Sequence, residues 1–597
     1  MVSLPLVERY ARIPALTRTQ FLDTMLVLIN AEVADAACGV IDGIVVGRFL
    51  GEEAIAAHGI ASPIFIILSI FCYIISVGFQ QPCTMYIGRG EMRRANGLFS
   101  ATLLLTLGIA GVIVLGGLLF PHGITRLMGA PSGGAIHDMA GDYLQAIFLG
   151  TPSLMVFLAL IPVLQLDGQR RLVHLGSLVM AVSDVVIDLL NVTVFHGGMW
   201  GMGMATSISY TLGLLVLLSY FLRKNRLFHF RIGDISGSNP GRIFTTGYPA
   251  GVRVGARAIA VVLLNSYVLG IMGASAMAAL SVQHNLSSLL LSVAIGISET
   301  VLLLTDISYG EQDRRGLMDI VRMGAYASIG VVGLVSIAVF SLAQPLVSLY
   351  LGPQEASFTL AVRAVRYLAV SMPLMAWVRC MGCYLQGVEQ QLRAVLVFLC
   401  EELLFLVPCA LVMSRFWGAE GIFAAFPVSQ ILLIGVINVV AYLRRDRRYK
   451  GMEAYLFVPD GFGTAPEDRL ERTLETPEAV WALAEEAQTF CQERGLPPEK
   501  AYWVSMYIEE MGNINMIYGF ADGKPHHLEV RLSLYQGSAI LRFRDDCRRF
   551  DITERASHWQ EDPEHPETTL AVRMVISACK QMTYSNSLNT NNLMVVL

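Results

Sequence analysis

The chain has 597 residues, 54% of them hydrophobic and 15% charged, with a mean hydropathy of +0.55. That is too apolar for a soluble protein of this length and implies a polytopic membrane protein. The net charge of -5 gives no reason to expect a nucleic-acid partner, and it averages two unlike parts: apolar runs fill residues 1–445, whereas 460–597 is rich in Glu, Arg and Pro. The expected layout is therefore a membrane body over 1–450 and a soluble C-terminal domain over 460–597, a normal single-domain length.

Residues 1–20, with Arg9, Arg12 and Arg18, form a basic lead-in. No cleavable signal peptide is evident, because the first apolar run is too long and continues into the body. That run, 21–47, carries Glu32, Asp35 and Asp42. On a helix of about 3.6 residues per turn the three fall within roughly a quarter of a turn of one another. They form one narrow acidic stripe on an otherwise apolar helix. An acid at the bilayer centre costs about 2.5–3.5 kcal/mol on insertion scales, so three of them call for a function. Eleven further runs follow: 58–82, 98–120, 141–166, 172–195, 201–222, 247–271, 279–304, 320–343, 362–386, 393–414 and 420–443. Each is near the ~20 residues a spanning helix needs. The predicted fold is a polytopic all-α body of about twelve transmembrane helices, followed by a soluble α/β sandwich domain.

The connecting charges alternate. Arg93 and Arg94, Arg170 and Arg171, Arg223 to Arg242, then Arg314 and Arg315 occupy every second loop, and Arg444 to Lys450 follow the last span. The positive-inside rule then puts both termini in the cytoplasm, at the cell's inner (plasma) membrane. The scattered cysteines fit this placement. Cys380-x-x-Cys383 sits in an apolar run without nearby His and reads as packing, while Cys491, Cys547 and Cys579 suit a reducing compartment.

Two six-helix repeats, 1–230 and 240–450, are visible. The segment 40–57 resembles 263–279, with Asp42 opposite Asn265 and Gly51 opposite Gly273. GEMRR at 90–94 parallels GEQDRR at 310–315, and Trp200-Gly201 parallels Trp417-Gly418, which sets Asp184 opposite Glu401. Parallel repeats of this kind place substrate between halves that rock. Nothing resembles the selectivity-filter loop of a channel.

Asp42 through Pro63 and Gly247-Tyr-Pro-Ala-Gly251 resemble the first and seventh spans of the multidrug and toxic compound extrusion (MATE) family. The resemblance implies antiport, with H⁺ or Na⁺ entering as an organic cation or amphipathic compound leaves. It maps the family's acid in span one onto Asp42 and the acid in span five onto Asp188 or Asp184.

The residues themselves narrow the coupling set. Clustered carboxylates in low dielectric cannot all ionise, so such a group can take up and release protons. Asp184, Asp188 and Asn191 share one face of span five, where carboxylate and amide oxygens suit a hard cation. Asn265 replaces the acid in the second half, leaving Glu299, Glu401 and Glu402 as candidates there. Asp306, near a span end, reads as a solvated boundary residue. Tyr367 to Gln386 contains no Asp or Glu, whereas the family has an acid in that span. The lack of one favours H⁺ over Na⁺. No resident metal is expected.

The tail is expected to form helices at 477–494 and 498–518, strands at 527–535 and 538–545, a helix at 567–581, and a final hairpin over 582–588 and 592–597. With Glu509-Glu510-Met-Gly-Asn513, Asp545-Asp546-Cys547-Arg548 and Asn591-Asn592, this order resembles the histidine-kinase-type ATPase fold of the anti-sigma-factor serine kinases. The resemblance implies ATP with Mg²⁺, Glu509 as base, Asn513 for the metal and Asp545 for the adenine. Arg548 would meet phosphate or belong to a solvated basic loop. The departures are physical: Cys547 stands where the family has Gly, and Ala571 or Thr569 opens the last helix, so side chains intrude where phosphate should approach. Three readings stay open for the tail: a regulatory domain binding a cytosolic protein, an ATP binder, or a kinase. Two stay open for the body beside antiport: a flippase for lipid-linked precursors, which would want an Arg- and Lys-lined groove, and a sensor that only signals through the tail.

Overall fold

The computed structural model describes residues 13–597 except 89–90, 128–133, 224–225, 353–356, 447–450, 460–461, 521–525, 536, 548–578 and 588–589. Among the described residues, twelve helices are long and apolar enough to cross a membrane. They are Ala15–Leu50, Ala57–Ile87, Met92–Leu119, Ile136–Leu166, Arg170–Phe195, Gly198–Leu222, Arg242–Val268, Ser275–Gly310, Arg314–Ser341, Phe358–Gly387, Gln391–Trp417 and Ala419–Leu443, called spans 1–12 below. Their outward faces are apolar without protein cover, as at Leu107, Val112, Leu115 and Leu119 of span 3. A surface of that kind belongs in lipid.

The spacing of the repeat reappears in the backbone. Non-helical turns with positive φ occur at Gly51 and Gly273, at Gly168 and Glu389, and at Gly198 and Gly418. The separation within each pair is nearly constant. It is slightly longer than the separation of Trp200 from Trp417, so the turns correct one detail of the repeat. Glu401 lies about one helical turn from the counterpart of Asp184.

Spans 1–6 and 7–12 meet at the end that faces the tail. Span 2 crosses span 7 there so closely that a Cβ on Gly247 would overlap the Ile74 carbonyl oxygen, and one on Gly78 that of Ile243. Only glycine permits this approach. Thr246 Oγ1 donates to the Gly78 carbonyl at 3.1 Å. Gln81 donates to the Gln386 carbonyl and accepts from Gln391 Nε2 at 2.8 Å, joining span 2 to spans 10 and 11.

The tail contains a five-stranded antiparallel sheet: β1 (Arg469–Leu474), β2 (Leu528–Tyr535), β3 (Ser538–Asp545), β4 (Gln581–Ser587) and β5 (Thr590–Val596), in the order β1-β2-β3-β5-β4. Helices Pro477–Glu493 and Pro498–Ile514 cover one face. Val480, Leu483, Val504 and Ile508 pack there against Val530, Leu532, Leu541 and Phe543. The Thr476 side chain caps the first of these helices by accepting from the Ala479 N–H, and Pro at the first turn suits both. Strands β2–β5 lie where alternation placed them. β1 was not anticipated: only Leu470 and Leu474 of its six residues face the core, too few to show alternation. The helix expected at 567–581 falls mainly outside the described residues, and so does Arg548.

Candidate functional site

A cavity of about 460 Å³ lies within the first half, with Glu299 and Leu302 of span 8 completing its wall. Span 1 supplies Glu32, Asp35 and Asp42, span 2 supplies His58, Tyr73 and Gln80, and spans 5, 6 and 8 supply Asp184, Tyr210 and Glu299. The acidic stripe of span 1 thus faces the cavity along its length.

At one end, Asp42, Asp184 and Asp188 bring carboxylate oxygens within 4.8 Å of one another. Asp184 accepts from Ser209 Oγ at 2.8 Å. Both Asp188 oxygens and Asp42 Oδ1 are buried, and among the described residues none outside the cluster donates a hydrogen bond to them. Three carboxylates at this separation repel strongly in low dielectric, so the group calls for a proton or a small cation among them. Oxygen-only donors suit either. Asn191 sits differently. Its Nδ2 donates to the Gly198 carbonyl at 3.0 Å and its Oδ1 accepts from the Gly197 N–H at 3.1 Å. The amide is engaged by the turn that joins spans 5 and 6, and it positions that turn instead of pointing at the carboxylates.

Further along, Tyr210 Oη donates to Asp35 Oδ1 at 2.7 Å. Glu32 lies within electrostatic reach of Glu299 and Asp35 and also of Arg253 and Arg379. Sequence reasoning passed over these arginines. Arg253 is buried between rings, its guanidinium 5.6 Å from the Tyr73 centroid and 5.5 Å from that of Phe398. The signal was present: Arg253, Arg257 and Arg379 interrupt apolar runs as conspicuously as the acids do.

The second half has a smaller cavity of about 60 Å³, lined by Arg257, Asn265, His284, Arg379, Glu401 and Glu402 among others. Arg379 donates from Nε to Glu401 at 3.2 Å and from Nη2 to Glu402 at 2.7 Å. Adjacent glutamates on a regular helix point about 100° apart. Here they sit in a π-turn, Cys400–Leu404, which brings both to one guanidinium. Glu401 is thereby held in an ion triad and not beside the first-half acids. Asp306 also departs from expectation: it is fully buried and not a solvated boundary residue.

In the tail, Asp545 is occupied by its own domain. Its Oδ1 accepts from Asn591 Nδ2 at 2.6 Å and from the Cys547 N–H at 3.1 Å. Burial pushes its carboxyl up to about 6, against these two donors. The Cys547 side chain packs against Gly519, its sulfur 3.1 Å from where a Cβ on that glycine would stand. Glu509 is exposed and Asn513 half-buried on the second tail helix.

A family model described as MatE matches residues 31–173 and 258–411. The membrane body is similar to the MatE family in both halves. Members are transporters, and this chain is accordingly a transporter and not an enzyme. Among curated relatives, the probable multidrug resistance protein YoeA of Bacillus subtilis (strain 168) is 25% identical over 464 residues, covering 73% of this chain and 96% of the relative. The multidrug export protein MepA of Staphylococcus haemolyticus (strain JCSC1435) is 22% identical over 415 residues, covering 68% and 90%. Among solved structures, an outward-facing MATE-family transporter superposes with a TM-score of 0.67 at 18% identity, covering 72% of this chain and 96% of that one. The MATE fold expected from the sequence is thus present. The family model ends at residue 411, and the kinase-like ATPase identity of the tail is not established by the sheet alone.

Proposed function

We propose that this MatE-like transporter exports organic cations or amphipathic drugs by antiport, with H⁺ in preference to Na⁺ as the coupling ion. It would do so at the plasma membrane, with both termini cytoplasmic. The observation that carries the reading is the convergence of Asp42, Asp184 and Asp188 at the wall of a cavity of about 460 Å³. A drug-sized pocket and a titratable carboxylate cluster share one wall, so a cation entering the cavity and a proton on the cluster compete for the same charge. Asp35 and Glu32 extend the acidic wall toward Glu299, and Asp188 stands at the cluster's buried end. The multidrug relatives support the substrate class.

The second half takes little part in coupling on this reading. Asn265 carries no charge, and Arg379 acts as a tethered cation on Glu401 and Glu402. The arginines raise the flippase alternative again, since an anionic headgroup would want them. Arg379 is spent on two carboxylates, however, and Arg253 is within electrostatic reach of both Glu32 and Glu299, so antiport of a cation remains the better fit.

We assign the tail a regulatory role without turnover, a reading supported by Cys547 standing where the kinase family has Gly and by Asp545 being engaged by Asn591. The test is transport of ethidium by the full chain in proteoliposomes with H⁺ and Na⁺ gradients imposed separately. The H⁺ gradient alone is expected to drive it. Transport driven by Na⁺ alone would transfer the coupling to Na⁺, and transport under neither gradient would remove the antiport reading.

A further inference from the structure

The face of the sheet turned away from the tail helices is charged. Arg531 stands directly opposite Arg542, Glu529 opposite Arg544, and Arg544 opposite Asn592. Like charges facing each other across two strands are unfavourable, so this face by itself is a poor surface. It is nonetheless buried: Arg531 is 8% exposed and Arg542 9%. What covers it is the turn between spans 8 and 9. Arg531 Nη2 lies 2.5 Å and Arg469 Nη1 3.0 Å from the Asp313 carboxylate. Arg542 and Arg544 lie 3.8 and 3.9 Å from Glu311, which also accepts from Asn592 Nδ2 at 2.7 Å. The linker is fixed to the same half. Tyr384 Oη donates to the Leu456 carbonyl at 2.6 Å, Arg314 donates to that of Glu453 at 2.9 Å, and Phe462 stacks on Tyr309.

The sheet also touches the other half. Gln20, buried at the start of span 1, donates to Thr590 Oγ1 at 2.8 Å and accepts from Arg544 Nη2 at 3.0 Å. Arg544 therefore reaches Glu311 of the second half and Gln20 of the first. The two grips differ in kind. Among the described residues the second half is held by several buried ion pairs, whereas the hook on the first is the uncharged side chain of Gln20, held by two hydrogen bonds.

We propose that the C-terminal sheet is a latch. It is anchored on Glu311 and Asp313 of the second half and hooked onto Gln20 of the first, and it holds the tail-facing side of the transporter shut until the Gln20 contact breaks. Rocking halves must part on this side for substrate to enter. The contacts that must part, Gln81 with Gln386 and Gln391, and Thr246 with Gly78, lie on the same tail-facing side as the Gln20 hook. A latch of this kind puts transport under the control of whatever binds the tail. The inference rests on the transporter reading above, and its test has a readout that does not depend on transport.

The experiment uses the full chain in proteoliposomes. Gln20→Ala with Thr590→Ala removes the hook while leaving every charge in place. Hydrogen exchange at 78–88 and 240–246 is expected to speed up several-fold, with faster ethidium transport. Gln20→Cys with Thr590→Cys, joined by a short reducible bis-thiosulfonate, is expected to slow exchange at the same segments and stop transport until a reductant is added; wild-type protein given the same reagent controls for the native cysteines. Unchanged exchange in the alanine pair, or wild-type transport in the joined pair, overturns the latch. Exchange that responds as stated while no protein, wild type included, moves ethidium leaves the latch standing and refutes the exporter reading.

Discussion

Arg379 offers a stringent test of how the second half handles its charges. It is 3% exposed and holds Glu401 and Glu402 by separate nitrogens, at 3.2 and 2.7 Å, with those side chains themselves 0% and 8% exposed. Arg379→Met keeps the apolar stem and removes the charge. Two buried carboxylates then lose their counterion, and breaking a buried pair from one side costs about 3–5 kcal/mol. A loss of that size is large against the net stability of a folded domain. The triple variant Arg379→Met, Glu401→Gln, Glu402→Gln removes all three charges together, and buried ion groups exchanged as a set are commonly near neutral. The assay is the thermal midpoint of detergent-purified protein, followed by proton-driven ethidium transport in proteoliposomes. The single variant should melt far below wild type. The triple variant should recover most of the difference and keep proton-driven transport, since the account gives the triad a structural role. A triple variant that is stable yet uncoupled from the proton gradient would refute this and return Glu401 to the coupling site.

Three further expectations follow from the geometry. Gly247→Val places a side chain on the Ile74 carbonyl, so it should separate the halves at the tail-facing end and abolish transport, read as loss of ethidium efflux with the protein still in the membrane fraction. Tyr210→Phe removes the 2.7 Å donor to Asp35; hydrogen bonds to charged groups are worth about 1.5–3 kcal/mol, so ethidium affinity should fall roughly tenfold or more while Asp42-dependent proton coupling survives, measured as binding against proton flux. Burial works against Asp313, but Arg531 and Arg469 outweigh it and hold its carboxyl well below the usual range. A depressed acid stabilises the docked state fully above its unfolded value of about 3.9 and loses that contribution only as pH falls through its folded value. Protection of the 446–462 linker from protease should therefore be the same at pH 8 and pH 5.

Much of this was legible in the sequence because membranes enforce simple rules. Twelve apolar runs gave twelve spans, since a helix in lipid must satisfy its backbone internally and reach about 30 Å. The acidic stripe of span 1 faced the cavity because nothing else in a bilayer tolerates it. Helical phase also put Asp184 and Asp188 on one face, and the fold set that face against Asp42. Three things were hidden. Glu401 and Glu402 meet one arginine only because of a π-turn, which no periodicity announces. The alternation of Glu529-x-Arg531 and Arg542-x-Arg544 looks the same whether the charged face meets water or a buried acidic turn. The engagement of Asn191 depends on the local turn at Gly197 and Gly198, so its spacing from Asp184 and Asp188 was misleading about its role.

Coupling in this transporter rests on Asp42. Asp42→Asn keeps the shape of the side chain and removes its proton, leaving Asp184 and Asp188 as a pair. The direct measurement is ethidium transport by this variant and by wild type in proteoliposomes under an imposed pH gradient, with ethidium binding measured in parallel. The account predicts that binding persists while pH-driven transport is abolished. Transport that continues at the wild-type rate with the same dependence on the pH gradient would contradict it.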